Sequence, residues 1–309
     1  MKLFHRLLPA IALLAGLMPN AALACACGCG VFDVGTGTMM PTGEGGRAWI
    51  EYDHMSQKQN RSGMSAAPED DNEDRRIRSD FYTFGAEYMF SRSWGAIAEI
   101  PYVERRVRSA DEDSGDLNDI QHAAFGDVKL RGVYSGFSGD MSTGVTFGVK
   151  LPTGDYTYPG FERDVQTGTG SVNMLLGAYH MGALDTKGMF NWFANILWDR
   201  PFITQDGYRP GTETNAAIGS YYNKGIDLGG AGKLSPLLQL IGSYRLRDGG
   251  PNGDPSNSGY RRLLISPGIE YAFKAVKLYG DVEIPVFEDF NGNQLAAPVQ
   301  FKLVVGYSF

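Results

Sequence analysis

The sequence has almost no cysteine and little histidine, with 3 Cys and 4 His in 309 residues. All the cysteines sit between Cys25 and Cys29, so no disulfide ties distant segments together. Hydrolysis by a nucleophile needs Ser, His and an orienting carboxylate within hydrogen-bond reach. Beyond residue 24 the histidines are His54, His122 and His180, far apart, and no Gly-x-Ser-x-Gly stretch accompanies them. The expectation is a non-enzyme. A basic surplus is missing as well. The formal net charge is −7, the opposite of a nucleic-acid footprint, so no nucleic-acid partner is expected. After residue 24 no apolar run is long enough to cross a bilayer as a helix.

The first 24 residues hold a processing signal. Lys2, His5 and Arg6 are followed by the apolar run Leu7 to Met18 and then by Ala22-Leu23-Ala24. A short basic start, a short apolar run and a small-x-small site read as a secretory signal peptide. The chain therefore divides into a signal peptide (1–24), a Cys/Gly-rich tail or plug (25–45) and a main domain (46–309).

That domain is rich in dyad alternation. In FYTFGAEYMF, Tyr82, Phe84, Ala86, Tyr88 and Phe90 share one face and Thr83, Gly85 and Glu87 the other. WGAIAEIPYV, GDVKLRGVY, LLQLIGSYRL, RLLISPGIEYAF and VKLYGDVEIPV repeat the pattern. Each has an apolar face with aromatics near its ends and a face with charges. Runs of about ten such residues, bounded by Gly, Asp, Asn and Ser, are the mark of membrane β-strands. A soluble sandwich would alternate too, with its apolar face turned inward, but its strands would be shorter. The fold expected is all-β, a transmembrane antiparallel barrel of about twelve strands in a Gram-negative outer membrane. Short turns are expected near 91–95, 135–142, 182–188, 223–233 and 273–276. Longer loops are expected near 57–79, 103–123, 152–170, 199–213, 247–260 and 287–297. Short turns lie on the periplasmic side of such barrels, which puts both termini there. The closing VQFKLVVGYSF alternates strictly, and Tyr307 with Phe309 forms a candidate barrel-assembly signal. Membrane lipid and the barrel-assembly machinery are the partners this implies.

Alternation assigns a lumen face. It carries Glu87, Glu99, Asp127, Lys129, Arg131, Arg245, Arg262, Glu270, Asp281 and Glu283, with Glu51, Lys150 and Lys302 beside them. Both signs occur, so two readings stand: a charged lumen that selects small solutes, and ion pairs that brace the barrel. The loop near 152–170 has Thr153-Gly154-Asp155 at one foot and Gly168-Thr169-Gly170 at the other. It holds Tyr156, Tyr158 and Phe161 and reads as a candidate lid over the mouth. The acidic loops APEDDNEDRR and SADEDSGDLNDI lack the Ca²⁺-loop spacing and read as solvated surface.

GDVKLRGVY, GVTFGVKLPTGDY, QTGTGSVNMLLGAY, ISPGIEYAF, GDVEIPVFEDFNGNQL and VVGYSF occur in this order. In order and spacing they resemble the outer-membrane β-barrels of the meta-pathway phenol-degradation transporter family. The resemblance covers roughly 125–309 and is most specific at Leu151 to Asp155 and Gly168 to Ser171. It implies a porin-like channel for passive uptake of small molecules, hydrophobic or aromatic ones included. A scaffold barrel whose N-terminal tail binds a metal or a periplasmic partner is the alternative. An outer-membrane lipid hydrolase is a third.

Cys25, Cys27 and Cys29 form a CxCxC motif in an oxidising compartment. Four chemistries compete there. They are a soft-metal site for Cu or Zn, a disulfide within the cluster, a disulfide to a periplasmic partner, and lipidation of Cys25. No cofactor is otherwise expected.

Overall fold

The computed structural model describes residue 40, residues 43–111 and residues 116–309. The segment expected to be a signal peptide, the cysteines and most of the 25–45 stretch lie outside the described residues. In chain order the first strands are β1 (Gly45–Gln57), β2 (Gln59–Gly63), β3 (Ser65–Ala66), β4 (Asp74–Met89) and β5 (Trp94–Ala110). Next come β6 (Leu117–Phe125), β7 (Val128–Tyr134), β8 (Thr143–Leu151), β9 (Ser171–Ala183), β10 (Phe190–Thr204) and β11 (Glu213–Tyr222). The series ends with β12 (Ile226–Asp227), β13 (Lys233–Arg245), β14 (Tyr260–Phe273), β15 (Val276–Ala296) and β16 (Gln300–Ser308). One turn of 3-10 helix, Glu69–Asp71, is the helical structure among the described residues.

All pairing is antiparallel, and the sheet closes. β13 pairs β14, β14 pairs β15, β15 pairs β16, and β16 returns to β1. β6 and β7 both pair β5 and are one strand interrupted at Gly126 and Asp127. β2, β3 and β12 are short additions, which leaves twelve strands in the ring. Closure satisfies every rung of the ladder and removes the edges. At the seam, the Gly46 N–H donates to the Phe309 carbonyl at 2.9 Å and the Phe309 N–H to the Gly46 carbonyl at 2.8 Å. A Cβ on Gly46 would lie 2.2 Å from the Phe309 ring, so any other residue there would require that ring to swing aside.

The alternation resolves in favour of lipid. Phe84, Tyr88, Leu238, Leu303 and Val305 face outward, each between 47% and 54% exposed. Their neighbours Trp49, Met89, Leu237 and Val304 face the interior and are buried. A water-soluble sheet would bury the first set, so this outer belt is made for a hydrocarbon surround. The aromatic row Tyr52, Tyr82, Tyr102 and Phe125 runs across four strands in register on the outer wall, as interfacial rings do.

The expected strand and loop borders need correction at the long-loop end. The loop expected near 103–123 is mostly ladder, because β5 runs on to Ala110 and β6 begins at Leu117. The loop near 287–297 is likewise the far half of β15, and that near 57–79 contains β2, β3 and the start of β4. Strand hydrogen bonds need no apolar side chains, so pairing continues past the membrane belt where apolar alternation has stopped.

Candidate functional site

The 152–170 loop folds inward, and backbone chemistry fixes its feet. A Cβ on Gly154 would sit 2.7 Å from the Gly168 Cα, so the feet touch main chain to main chain. Asp127, freed from the ladder by the break between β6 and β7, clamps them. Its carboxylate accepts from the Gly154 N–H at 3.0 Å, the Thr169 N–H at 2.8 Å and the Thr169 hydroxyl at 2.6 Å. Thr153 Oγ1 accepts from the Val128 N–H at 2.9 Å and donates to the Gly126 carbonyl at 3.0 Å.

The body of the loop is seated on the wall. Phe161 and Val165 pack with the inward-facing Ile77, Val107 and Leu295. Tyr158 stacks on the His122 ring at 3.8 Å, and His122 Nε2 lies 3.1 Å from Asp155 Oδ2. Contrary to the sequence-based expectation, His122 belongs to β6 and not to a loop. Arg105, buried on β5, donates from Nη1 to the carbonyls of Val165 at 2.6 Å and Gln166 at 3.0 Å. The Gln166 amide braces the turn, donating to the Tyr158 and Phe161 carbonyls at 3.0 and 2.9 Å. The Arg163 guanidinium lies over the rings of Tyr156 at 5.0 Å and Tyr208 at 4.8 Å, bridging to the next loop.

One acidic group of the loop is held against others. Burial first, then Asp164, Asp74, Glu73 and Asp254, push the Glu162 carboxyl up to about 9. Burial, then Asp164 and Glu73, against Arg75, push Asp74 up to about 7. A bulge between Asp74 and Arg76 turns Asp74 inward opposite Ser109. Its Oδ2 has no hydrogen-bond partner.

Beneath the loop is a cavity of about 200 Å³. Glu99, Lys129, Lys150, Asp199 and Arg245 are on its walls, and Gln166, Thr167 and Gly168 cover it. Toward the short-turn end an apolar cluster fills the barrel, with Trp49, Met89, Val133, Tyr179, Phe193 and Leu237 among its members. Met40, from the segment before β1, is buried in that cluster.

The charged residues assigned to the lumen face from alternation all lie on inward strand faces or at the loop feet. Most are cross-braced. Arg131 meets Glu99 at 2.6 Å, Arg47 meets Glu87 at 3.2 Å, and Lys150 meets Asp199 at 2.6 Å. Arg262 meets Glu288 at 3.1 Å, Arg245 meets Asp248 at 2.7 Å, and Glu270 faces Lys277 at 3.6 Å. Lys302 lies 3.4 Å from Glu51 and 3.8 Å from Asp53. Asp281 Oδ2 accepts from Gln239, Ser266 and Tyr279. Glu283 is fully buried with no hydrogen-bond partner on either oxygen. Pairing of this kind offsets the cost of taking charge out of water, and loss of either partner would leave the other stranded. Arg105, Arg163, Gln166 and Tyr208 were not singled out from the sequence. The ERRVRS run falls within an expected loop, and nothing in its pattern marks Arg105 as inward. Tyr307 and Phe309, 6.3 Å apart, lie on the outer face at the seam.

No family model and no curated protein matches the chain. Solved structures do. An outer-membrane channel from Pseudomonas putida F1 is 14% identical, with a TM-score of 0.64 over 89% of this chain and 100% of that one. The β domain of the Bordetella autotransporter BrkA is 15% identical, with a TM-score of 0.51 over 86% of this chain and 100% of that one. This chain is an outer-membrane β-barrel. The likenesses bear on its fold, and its apolar belt places it in the membrane of a Gram-negative cell. The resemblance to phenol-degradation transporters rests on the motifs alone.

Proposed function

We propose that the barrel is a passive channel for small molecules and that the 152–170 loop is its lid. The observation that carries this is the cavity of about 200 Å³ between that loop and the apolar floor. A dry 150 Å³ cavity in another protein takes up benzene, so this space suits a solute of about one ring. Its lining suits an aromatic solute with a polar group. Phe81, Pro101 and Tyr208 offer apolar surface beside Lys129, Arg163 and Glu213. The fold neighbour from Pseudomonas putida is described as an outer-membrane channel, in keeping with this reading. Long loops point outward in barrels of this class, which sets the lid at the cell surface and the apolar floor, with Met40, toward the periplasm. Passage then requires the lid to lift and the floor to part.

Liposome swelling with the full chain tests the function. Single-ring solutes such as a phenol or benzoate are expected to enter faster than a disaccharide. Equal exclusion of all of them, with no conductance steps in planar bilayers, refutes the channel.

A further inference from the structure

The outer wall of β4 and β5 carries arginines in an arrangement that the barrel alone does not need. Arg76 stands directly opposite Arg108, and Arg78 directly opposite Arg106. All four point outward and are exposed. Like charges facing each other across a ladder destabilise the pair of strands. The lower pair is partly compensated, since Arg78 meets Asp80 at 2.9 Å and Arg106 meets Asp119 at 2.6 and 2.7 Å. The upper pair is compensated less, since Arg108 faces Asp119 across the β5–β6 ladder while the Asp119 carboxylate is bonded to Arg106. Arg76 donates to the neutral Ser56 hydroxyl at 3.1 Å, and no ion pair of Arg76 or Arg108 occurs among the described residues.

Height gives the patch its meaning. Along β4, Arg78 lies four residues above Tyr82 and Arg76 six. Tyr82 belongs to the aromatic row, which marks the edge of the hydrocarbon. At about 3.4 Å per residue and a strand tilt near 40°, the lower pair stands about 10 Å beyond that edge. That is a few Å past the headgroup region, which reaches about 5–8 Å beyond the hydrocarbon. The lower pair therefore meets lipid phosphates by turning its long side chains toward the membrane. The upper pair, about 16 Å beyond the edge, faces the sugar-phosphate zone of a glycolipid. Next to the patch a groove of about 780 Å³ runs down the outer wall. Ile269, Val282, Phe301 and Leu303 line it, Gly268 and Gly280 deepen it, and Arg78 and His54 stand at one end. A guanidinium row above an apolar groove has the form of a phosphate head and its acyl chain.

We propose that Arg76, Arg78, Arg106 and Arg108 hold the phosphates of the glycolipid of the outer leaflet, with one acyl chain in the adjoining groove. The proposal rests on the long-loop end facing outward, as in the channel reading, but it does not require the barrel to conduct. Planar guanidinium forks suit phosphate oxygens bidentately. A phosphate between facing arginines also turns their repulsion into attraction. Bound lipid would then clamp β4 to β5 beside the wall that carries the lid.

The test uses the full chain in a neutral detergent, mixed with bisphosphorylated lipid A and read by native mass spectrometry. Wild type is expected to retain lipid A. The double variant Arg76→Gln with Arg108→Gln is expected to bind about tenfold or more weakly, at the usual contribution of each surface arginine. Should the double variant fail to assemble, Arg108→Gln alone is expected to lose about threefold to fivefold. Arg78→Lys with Arg106→Lys keeps the charge but not the fork, and a loss of a few-fold is expected. Lys224→Gln, at the opposite end of the barrel, is expected to change nothing. Equal binding of dephosphorylated lipid A, or equal binding by the Arg76/Arg108 variant, overturns the proposal. So does displacement by inorganic phosphate, or tighter binding of phosphatidylglycerol than of lipid A.

Discussion

Asp127→Asn should unlatch the lid. The carboxylate accepts three hydrogen bonds from the loop feet, one from Gly154 and two from Thr169, at 2.6 to 3.0 Å. Asparagine is the same size but keeps one acceptor oxygen. If that oxygen stays with Thr169, the new NH₂ confronts the Gly154 N–H, and if it turns, it confronts both Thr169 donors. A hydrogen bond to a charged group contributes about 1.5–3 kcal/mol. Losing the charge and at least one bond should therefore shift closing by about 3 kcal/mol. Each 1.4 kcal/mol is tenfold, so the closed-to-open ratio should fall by about a hundredfold or more. Arg105 and the Phe161 cluster still tether the loop, so it should open more often without leaving the mouth. Planar-bilayer recordings should show longer open times, and trypsin should cut at Arg163 faster. Unchanged dwell times together with unchanged cleavage would refute the clamp. Slower cleavage would reverse its sign.

Three further outcomes follow from the same geometry. Glu162 and Asp74 both stand above the ordinary carboxylate range, so the closed lid binds more protons than the open one. Closure is then firmest below about pH 4 and weakens as pH rises through about 7 and about 9. Open probability should climb from pH 5 to pH 9, and Glu162→Gln should flatten the climb; a profile falling with pH would contradict the assignment. Gly154→Val should force the feet apart, since its Cβ meets Gly168 at 2.7 Å and Gly126 at 2.9 Å; amide exchange across 152–170 would report this, and wild-type protection would count against it. Lys150→Met should leave Asp199 buried without the Lys150 ammonium now 2.6 Å away. Removing one partner of such a pair costs about 3–5 kcal/mol, so the folded band should melt at lower temperature on a gel, and unchanged melting would show that the pair is solvated.

The barrel was legible because its cause repeats. Period-two alternation from Tyr82 to Phe90 and from Leu238 to Leu246 encodes which face meets lipid, whatever the tertiary detail. The strand ends were harder to read. Past the belt the outer face of β5 becomes charged and Arg105 interrupts the inner one, so in ERRVRS the lone apolar Val107 is too little rhythm to mark a strand, yet Arg106 and Arg108 pair there with Arg78 and Arg76. The glycines and threonines of the loop feet carried a signal, since TGD and GTG runs mark close backbone approach. Parity alone puts Asp127 on the lumen face, but its clamping role depends on a ladder break that no local pattern announces. Arg105 was invisible for a related reason. It bonds the Ser79 hydroxyl across the ladder, but what ties it to the loop are the Val165 and Gln166 carbonyls far along the chain, and backbone acceptors leave no residue-type signature.

The seam between Gly46 and Phe309 has a kinetic consequence. Once β6 and β7 are counted as one strand, every other joint in the ring links neighbours in sequence. The β1–β16 joint links the two ends of the domain. It bears the largest loop-closure entropy and the greatest sequence separation of any contact in the ring. Zipping of the sheet can proceed hairpin by hairpin, but sealing waits for the last strand. Until then the intermediate is an open sheet with two unpaired edges, the form most prone to stick to other chains. A bulky side chain at Gly46, where a Cβ would meet the Phe309 ring at 2.2 Å, would thus be felt first as slow sealing and aggregation. The finished barrel would be little altered around the cavity, which neither residue lines.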